Sequence, residues 1–242
     1  MERLLLDAGV GGTMRVLDVG CGVGDVTIMI ARLLGEGGHV VGVDIDASAL
    51  EKARARVDRS TRGSVEFALG DISELPASFG GFDAVVARRV LMYQADAAST
   101  LSSMRGVLKP GGLVIVQEHD AARVLDERGL FPLHERVAGW IWQTVAREGA
   151  DVHMGSGLYG LLRDAGVSVA GIQAEVVVET PESASTLAVV VRAILPRMVS
   201  HGVVRDGEVD VDDLERELSA EAASAGTVRL GDLVFSAWGR LG

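Results

Sequence analysis

The sequence predicts an α/β fold with a doubly wound, mainly parallel sheet. Three features predict it. Short β-rich runs alternate with helix-length segments, a glycine-rich turn follows the first run directly, and aspartates stand at the ends of successive runs. Alternation at this spacing calls for right-handed crossovers, which leave consecutive strands parallel.

The first element is a short helix, Glu2 to Ala8. Arg15 to Val19 is an apolar run that ends in Gly20-Cys21-Gly22-Val23-Gly24, followed by an apolar helical stretch from Val26 to Leu34. His39 to Val43 reads as the second strand, Ala47 to Arg59 as a helix, and Val65 to Leu69 as the third strand. Phe82 to Ala87, Ala95 to Leu108 and Leu113 to Gln117 complete the pattern as strand, helix and fifth strand. Past Glu118 the rhythm changes. Leu133 to Glu148 places Val137, Trp140, Ile141 and Thr144 at helical spacing, Leu158 to Ala165 is a second helix, and Val167 to Val178 is a long β-rich run. Helices over Ser183 to Ser200 and Val211 to Ala225 precede a last strand, Val228 to Trp238. Two helices between two strands exceed what a crossover needs. The surplus is expected to form a helical cap over the sheet's carboxyl edge.

Composition narrows the function. With 242 residues, 48% hydrophobic and 24% charged, the chain can bury a full core as one domain over 1–242. Its net charge of -11 argues against nucleic acid or an anionic membrane as partner, since both recruit clustered cations. No apolar run approaches the ~20 residues of a membrane helix. The start lacks the pattern of a signal peptide, so the cytoplasm is the expected location. Cys21 is the single cysteine, which excludes an internal disulfide framework. His134, His153 and His201 are scattered without metal-ligand spacing, so no metal is expected. Only Lys52 and Lys109 are lysines among 23 basic residues, a bias typical of high-GC bacterial genomes.

The glycine loop carries the chemistry. Open α/β sheets bind ligands beyond the carboxyl ends of their strands, and glycines there let backbone lie against a ligand. Here the spacing is Gly20-x-Gly22-x-Gly24, whereas the dinucleotide fingerprint needs its third glycine where Asp25 stands. A carboxylate in that first helical turn would face a pyrophosphate and repel it. A phosphate-free ligand with a cationic end is therefore expected, such as one carrying sulfonium and ammonium groups. Asp44, twenty positions beyond Gly24, can accept both hydroxyls of a ribose. Asp71 can accept from an adenine amino group while Ile72 covers the ring. The alternatives are that Asp44 caps the helix starting near Ala47 and that Asp71 caps the turn Asp71-Ile72-Ser73.

At this point the chain resembles the class I S-adenosylmethionine-dependent methyltransferases. Val16-Leu17-Asp18-Val19-Gly20-Cys21-Gly22-Val23-Gly24 is similar to their first motif, and Val41-Gly42-Val43-Asp44 to their second strand. Gly70-Asp71-Ile72 resembles their adenine-contacting turn, Phe82-Asp83-Ala84-Val85-Val86 their fourth strand, and Leu108-Lys109-Pro110-Gly111-Gly112 the turn before their fifth. Later, Gly157 to Gly166 and Ala237-Trp238-Gly239-Arg240 look similar to the ubiquinone/menaquinone-methyltransferase-like small-molecule group.

The resemblance implies a seven-stranded sheet with a reversed last hairpin. It implies a cofactor-binding half over 14–118, cap elements within 119–227 and a last strand over 228–238. Gly20 and Gly22 would contact the methionine part of S-adenosylmethionine, Asp44 its ribose, and Asp71 and Ile72 its adenine. Ala87 and Arg88 would line the methionine side. Asp18, Cys21 and Ile45 complete the cofactor set, and S-adenosylhomocysteine would be the product.

Methyl transfer is largely a matter of aligning the nucleophile with the methyl group, and a base is needed only for a protonated acceptor. His119, just beyond the fifth strand in Gln117-Glu118-His119-Asp120, is the candidate general base. Arg88, Arg89 and Tyr93 follow the fourth strand and can orient a substrate carboxylate or ring; with His119, Arg88 and Tyr93 form the candidate substrate set. Trp140 and Trp142, two residues apart, cannot share a helix face. The aromatic Asn/Asp-Pro-Pro-Tyr/Phe signature of base-methylating enzymes is replaced by Ala87-Arg88-Arg89-Val90. The expectation is a methyltransferase for a small organic acceptor, of bacterial secondary metabolism, acting as monomer or homodimer. Its rivals are a protein that binds the cofactor or uses its sulfonium only electrostatically, and an NAD-dependent dehydrogenase.

Overall fold

The structure is a computed structural model that describes residues 1–58, 61–72, 79–122, 129–183 and 185–242. Arg59, Ser73 and Ala184, which the sequence reading places in a helix, a turn and a helix, lie outside the described residues. The chain divides into two compact units. The first comprises Met1–His119, Met154–Ala174 and Phe235–Gly242; the second comprises Asp120–His153 and Glu175–Val234.

In the first unit, β1 (Arg15–Val19) is central. It pairs in parallel with β2 (His39–Asp44) on one side and β4 (Phe82–Arg88) on the other. Beyond these, β3 (Ser64–Leu69) pairs with β2, and β5 (Leu108–Asp120) with β4. With β6 (Val167–Glu179) and β7 (Arg229–Leu241) the seven-stranded order is β3-β2-β1-β4-β5-β7-β6. The last strand thus inserts between its two predecessors, as the reversed hairpin requires. Side-chain neighbours give its direction: Gln117 Nε2 donates to Ser236 Oγ at 2.9 Å while Arg240 Nη1 donates to Gly111 O, so β7 runs antiparallel to β5.

Local chemistry explains the helices. The chain enters α2 (Asp25–Leu33) through Gly24, left-handed at φ 83°, and α2 buries Val26, Ile30 and Ala31. With Leu4 and Leu5 of α1 (Glu2–Asp7) and Val16, Val40, Ala84 and Ile115 of the sheet they form one apolar core. Asp46 caps α3 (Ala47–Arg56) by accepting from Ser48 N and Ala49 N, and Asp96 caps α4 (Ala97–Gly106) by accepting from Ser99 N. Leu158 and Leu162 of α6 (Met154–Asp164) are buried as well.

The second unit has its own core. In it α5 (Pro132–Arg147), α7 (Thr186–Ser200) and α8 (Val211–Ala225) bury Val137, Leu187, Val191, Ile194, Met198, Leu214 and Leu218 together. Trp140 packs partly against this cluster, with the Arg136 guanidinium over its ring; Trp142 does not join it. Glu221 of α8 accepts from Leu133 N, His134 N and His134 Nδ1, which satisfies the first donors of α5. Arg229 pairs with Glu179 at 2.6 Å, both nearly buried, and buried Asp120 accepts from His153 Nδ1 at 3.0 Å. All three scattered histidines are thus partners of carboxylates, His201 lying 3.4 Å from Glu148. No cluster of three or more metal-ligating side chains occurs among the described residues.

One boundary differs from expectation in a way that matters. β5 is thirteen residues long, extending from Leu108 to Asp120, so His119 is part of the strand and not of a loop after it. Its polar ends, Lys109-Pro110-Gly111-Gly112 and Gln117-Glu118-His119-Asp120, carry no apolar signal. Pairing with β4 joins Leu108 to Phe82, shifts register before Ala84 and ends with Arg88 opposite Gln117.

Candidate active site

The carboxyl ends of β1, β2 and β4 and the turn after β3 converge on one cavity of about 330 Å3. Gly20, Asp44, Ile45, Asp71 and Ile72 line one part of its wall. Arg89, Val90, Tyr93 and Gln94, from the segment after β4, line the rest. Three successive strand ends thus supply the glycine, the first acid and the second acid to a single site.

Gly20 is left-handed at φ 64°, and a Cβ built there would lie 2.6 Å from Val90 Cγ2. The turn after β1 therefore rests against the turn after β4, with no room for a side chain between them. Gly20→Ala should destabilise the fold by about 1–2 kcal/mol through backbone strain, before any effect on a ligand. A melting temperature equal to that of wild type would refute this packing argument.

Asp44 is the hinge of the site. Its Oδ2 accepts from Gly22 N at 2.8 Å and its Oδ1 from Asp46 N at 2.9 Å. The capping alternative for Asp44 is excluded, since Asp46 caps α3. Each carboxylate oxygen still has a lone pair for a ligand hydroxyl. Ile45, 71% exposed, offers an apolar surface in the same cavity, and Ile72 provides a second.

Three expected cofactor residues sit below the surface of the site. Asp18 is buried and accepts from Thr27 Oγ1 at 2.5 Å. Burial pushes its carboxyl up to about 7, against the opposing hydrogen bonds of Thr27 and the charge of Arg88. Cys21 is buried too, and burial with the nearby aspartates pushes its thiol up to about 12, which keeps it protonated and poorly nucleophilic. Ala87 is fully buried within β4. These residues support the loop from beneath instead of forming the cavity wall. Gly22 shapes the loop at φ 53° and is tied to Asp44.

After β4, the structure brings Arg89 to the wall, whereas Arg88 stays in the strand opposite Gln117 with its Nε buried. Tyr93 lines the cavity from a short 3-10 turn over Leu91–Tyr93. Val90 and Gln94 escaped the sequence reading, because nothing in an apolar or amide residue marks it as site-forming. Arg89 is offered by the sequence as able to orient a substrate, though nothing there sets it apart from its neighbour. It is the one non-glycine residue with positive φ among the described residues, at 55°, a conformation that costs of order 1–3 kcal/mol.

Glu118 holds that turn. Its Oε1 accepts from Val90 N at 2.9 Å and Leu91 N at 2.7 Å, and the side chain is fully buried. Burial pushes its carboxyl up to about 7, opposed by the hydrogen bonds of the turn. His119, the next residue, is half-buried, points to the other face of β5 by strand alternation, and is absent from the cavity wall.

Asp25 does not face the site. Its side chain pairs with Arg56 Nη2 at 2.5 Å and lines a separate surface groove with Glu2 and Arg32, away from the site. What speaks against a dinucleotide is the wall itself, where Asp44 and Asp71 are joined by one cation, Arg89, among the described residues.

Comparison with known proteins gives the family. Residues 11–154 match the family model described as a methyltransferase domain. The demethylmenaquinone methyltransferase of Staphylococcus aureus is 36% identical over 117 residues, which is 48% of each chain. The chain thus matches about half the length of such curated relatives. A putative methyltransferase from Bacillus halodurans superposes with a TM-score of 0.63 at 19% identity, covering 98% of this chain and 96% of that one. The phosphoethanolamine N-methyltransferase 2 of Haemonchus contortus, solved with phosphomonomethylethanolamine and S-adenosylhomocysteine, gives a TM-score of 0.59 at 19% identity, covering 99% of this chain and 52% of that one.

Proposed function

Because the chain belongs to the methyltransferase-domain family, we propose that it transfers a methyl group from S-adenosylmethionine to a small organic acceptor. The observation that carries this reading is the convergence of Gly20, Asp44, Ile45, Asp71 and Ile72 on one cavity. Asp44 would accept from the ribose hydroxyls, Ile45 and Ile72 would enclose the adenine, and Asp71 would accept from its amino group. Gly20 leaves room for the methionine part beside Val90. When bound, the cofactor supplies an electrophilic methyl on a sulfonium. The chain's own contribution is to hold the acceptor in line and to exclude water. A small acceptor agrees with the net charge of -11 and with the cavity's size.

His119 is proposed as the base for an acceptor that must lose a proton, supported by its place at the carboxyl end of β5. His119→Ala should then lower turnover while leaving S-adenosylhomocysteine affinity unchanged, and equal turnover would remove it from the chemistry. Among the described residues no helix is long and apolar enough to cross a membrane.

The test is calorimetry with S-adenosylhomocysteine and NAD, followed by incubation with methyl-labelled cofactor and an acceptor panel. Binding of the first alone, with label transfer, is expected. Tight NAD binding without S-adenosylhomocysteine binding would overturn the proposal. Cofactor binding without transfer across the panel would favour a binding protein.

A further inference from the structure

The backbone of Arg89 is left-handed at φ 55°, a region that L side chains other than asparagine and aspartate rarely enter. Three hydrogen bonds keep it there. Arg89 N donates to Gln117 O at 2.9 Å, and the next two amides, of Val90 and Leu91, donate to Glu118 Oε1. Glu118 is fully buried and its Oε2 has no hydrogen-bond partner among the described residues, so the polar contacts of this carboxylate go to the turn. The end of β5 thus forces the chain to break from β4 at Arg89. Arg88 remains in register with Gln117, and the next side chain is delivered to the cavity.

The delivered group is an exposed guanidinium on the cavity wall, with its charge also acting on the Glu118 carboxyl. The same wall carries two aspartates, already matched to hydroxyl and amino groups by the methyl-transfer reading. A strained backbone kept by a buried carboxylate is costly, and strain of this kind clusters where a ligand is held. A guanidinium fork matches an oxyanion by two parallel hydrogen bonds.

We propose that Arg89 is the anion-recognising residue of this cavity, held by the Gln117–Glu118 clamp to bind a carboxylate-type group. The proposal rests on the methyl-transfer reading. Two sources share the chemistry: the amino-acid carboxylate of the cofactor and an acid group on the acceptor. Glu118 is the positioning residue.

The test is calorimetry with S-adenosylhomocysteine, with methylthioadenosine, which lacks the amino-acid part, and with benzoate and neutral benzamide added to the S-adenosylhomocysteine complex. If wild type binds no S-adenosylhomocysteine, the methyl-transfer reading fails, and Arg89 is then judged on benzoate over benzamide alone. If the anion is the cofactor's, Arg89→Ala weakens S-adenosylhomocysteine at least ~10-fold and leaves methylthioadenosine unchanged. If it is the acceptor's, Arg89→Ala abolishes benzoate binding and leaves S-adenosylhomocysteine unchanged. Arg89→Lys restores only part of either, because an ammonium lacks the fork. Glu118→Ala reproduces the Arg89→Ala pattern, and Glu118→Gln, which keeps an acceptor for the turn, recovers it. Arg89→Gly should melt no lower than wild type, since glycine relieves the strain. The proposal is overturned if Arg89→Ala binds S-adenosylhomocysteine and benzoate as wild type does, or weakens methylthioadenosine equally.

Discussion

Asp44→Ala is expected to weaken S-adenosylhomocysteine binding by about 2–4 kcal/mol, or roughly 30- to 1000-fold. The ribose contact accounts for part of this. The rest comes from Gly22 N and Asp46 N, which lose their acceptors when the carboxylate is removed. Gly22 is left-handed at φ 53°, and without its tether the loop can sample conformations that no longer present its backbone to the cavity. Asp44→Asn separates the contributions, because its single carbonyl oxygen can replace only one of the two acceptors. Its affinity should fall between wild type and Asp44→Ala. An Asp44→Ala affinity within about twofold of wild type would show that the carboxylate holds neither loop nor ribose.

The second large effect is on stability against pH. Asp18 and Glu118 are buried, and burial raises both carboxyls to about 7. Their unfolded values are 3.8 and 4.5, so between about pH 4 and 7 the folded chain binds more protons than the unfolded one. Stability contributed by these two groups is therefore fully present below pH 4 and is lost as pH rises to 7, by about 3–4 kcal/mol per group. Carboxylates held low by partners act in the opposite sense, gaining stability as pH rises; Glu148 beside Arg197 and Asp83 beside Arg15 and Lys109 are examples. The informative quantity is consequently the difference between variants and wild type. Asp18→Asn retains an acceptor for Thr27, and Glu118→Gln retains one for Val90 and Leu91. In urea unfolding at pH 5 and pH 8, each variant should lose less stability than wild type across that interval. Parallel losses in wild type and both variants would mean that neither carboxyl titrates in the window.

What was legible in advance had short-range causes. Left-handed turns need glycine, so Gly20, Gly22 and Gly24 advertise the loop whatever surrounds them, and strand ends place Asp44 and Asp71 at one sheet edge. Alternation of apolar runs specifies the parallel half, because each buried strand must be covered by a crossover helix. These features determined the fold class and the family.

Tertiary structure decided what depends on partners distant in sequence. It turned Asp44 from an isolated acceptor into the tether of Gly22. It extended β5 through polar residues that carry no apolar signal, and it assigned Asp25 to Arg56. It also gave the later helices a core of their own. Above all it chose between Arg88 and Arg89. Adjacent arginines are equivalent in sequence, but a turn clamped by Glu118, 28 residues ahead of Val90, leaves one in the sheet and sends the other to the cavity.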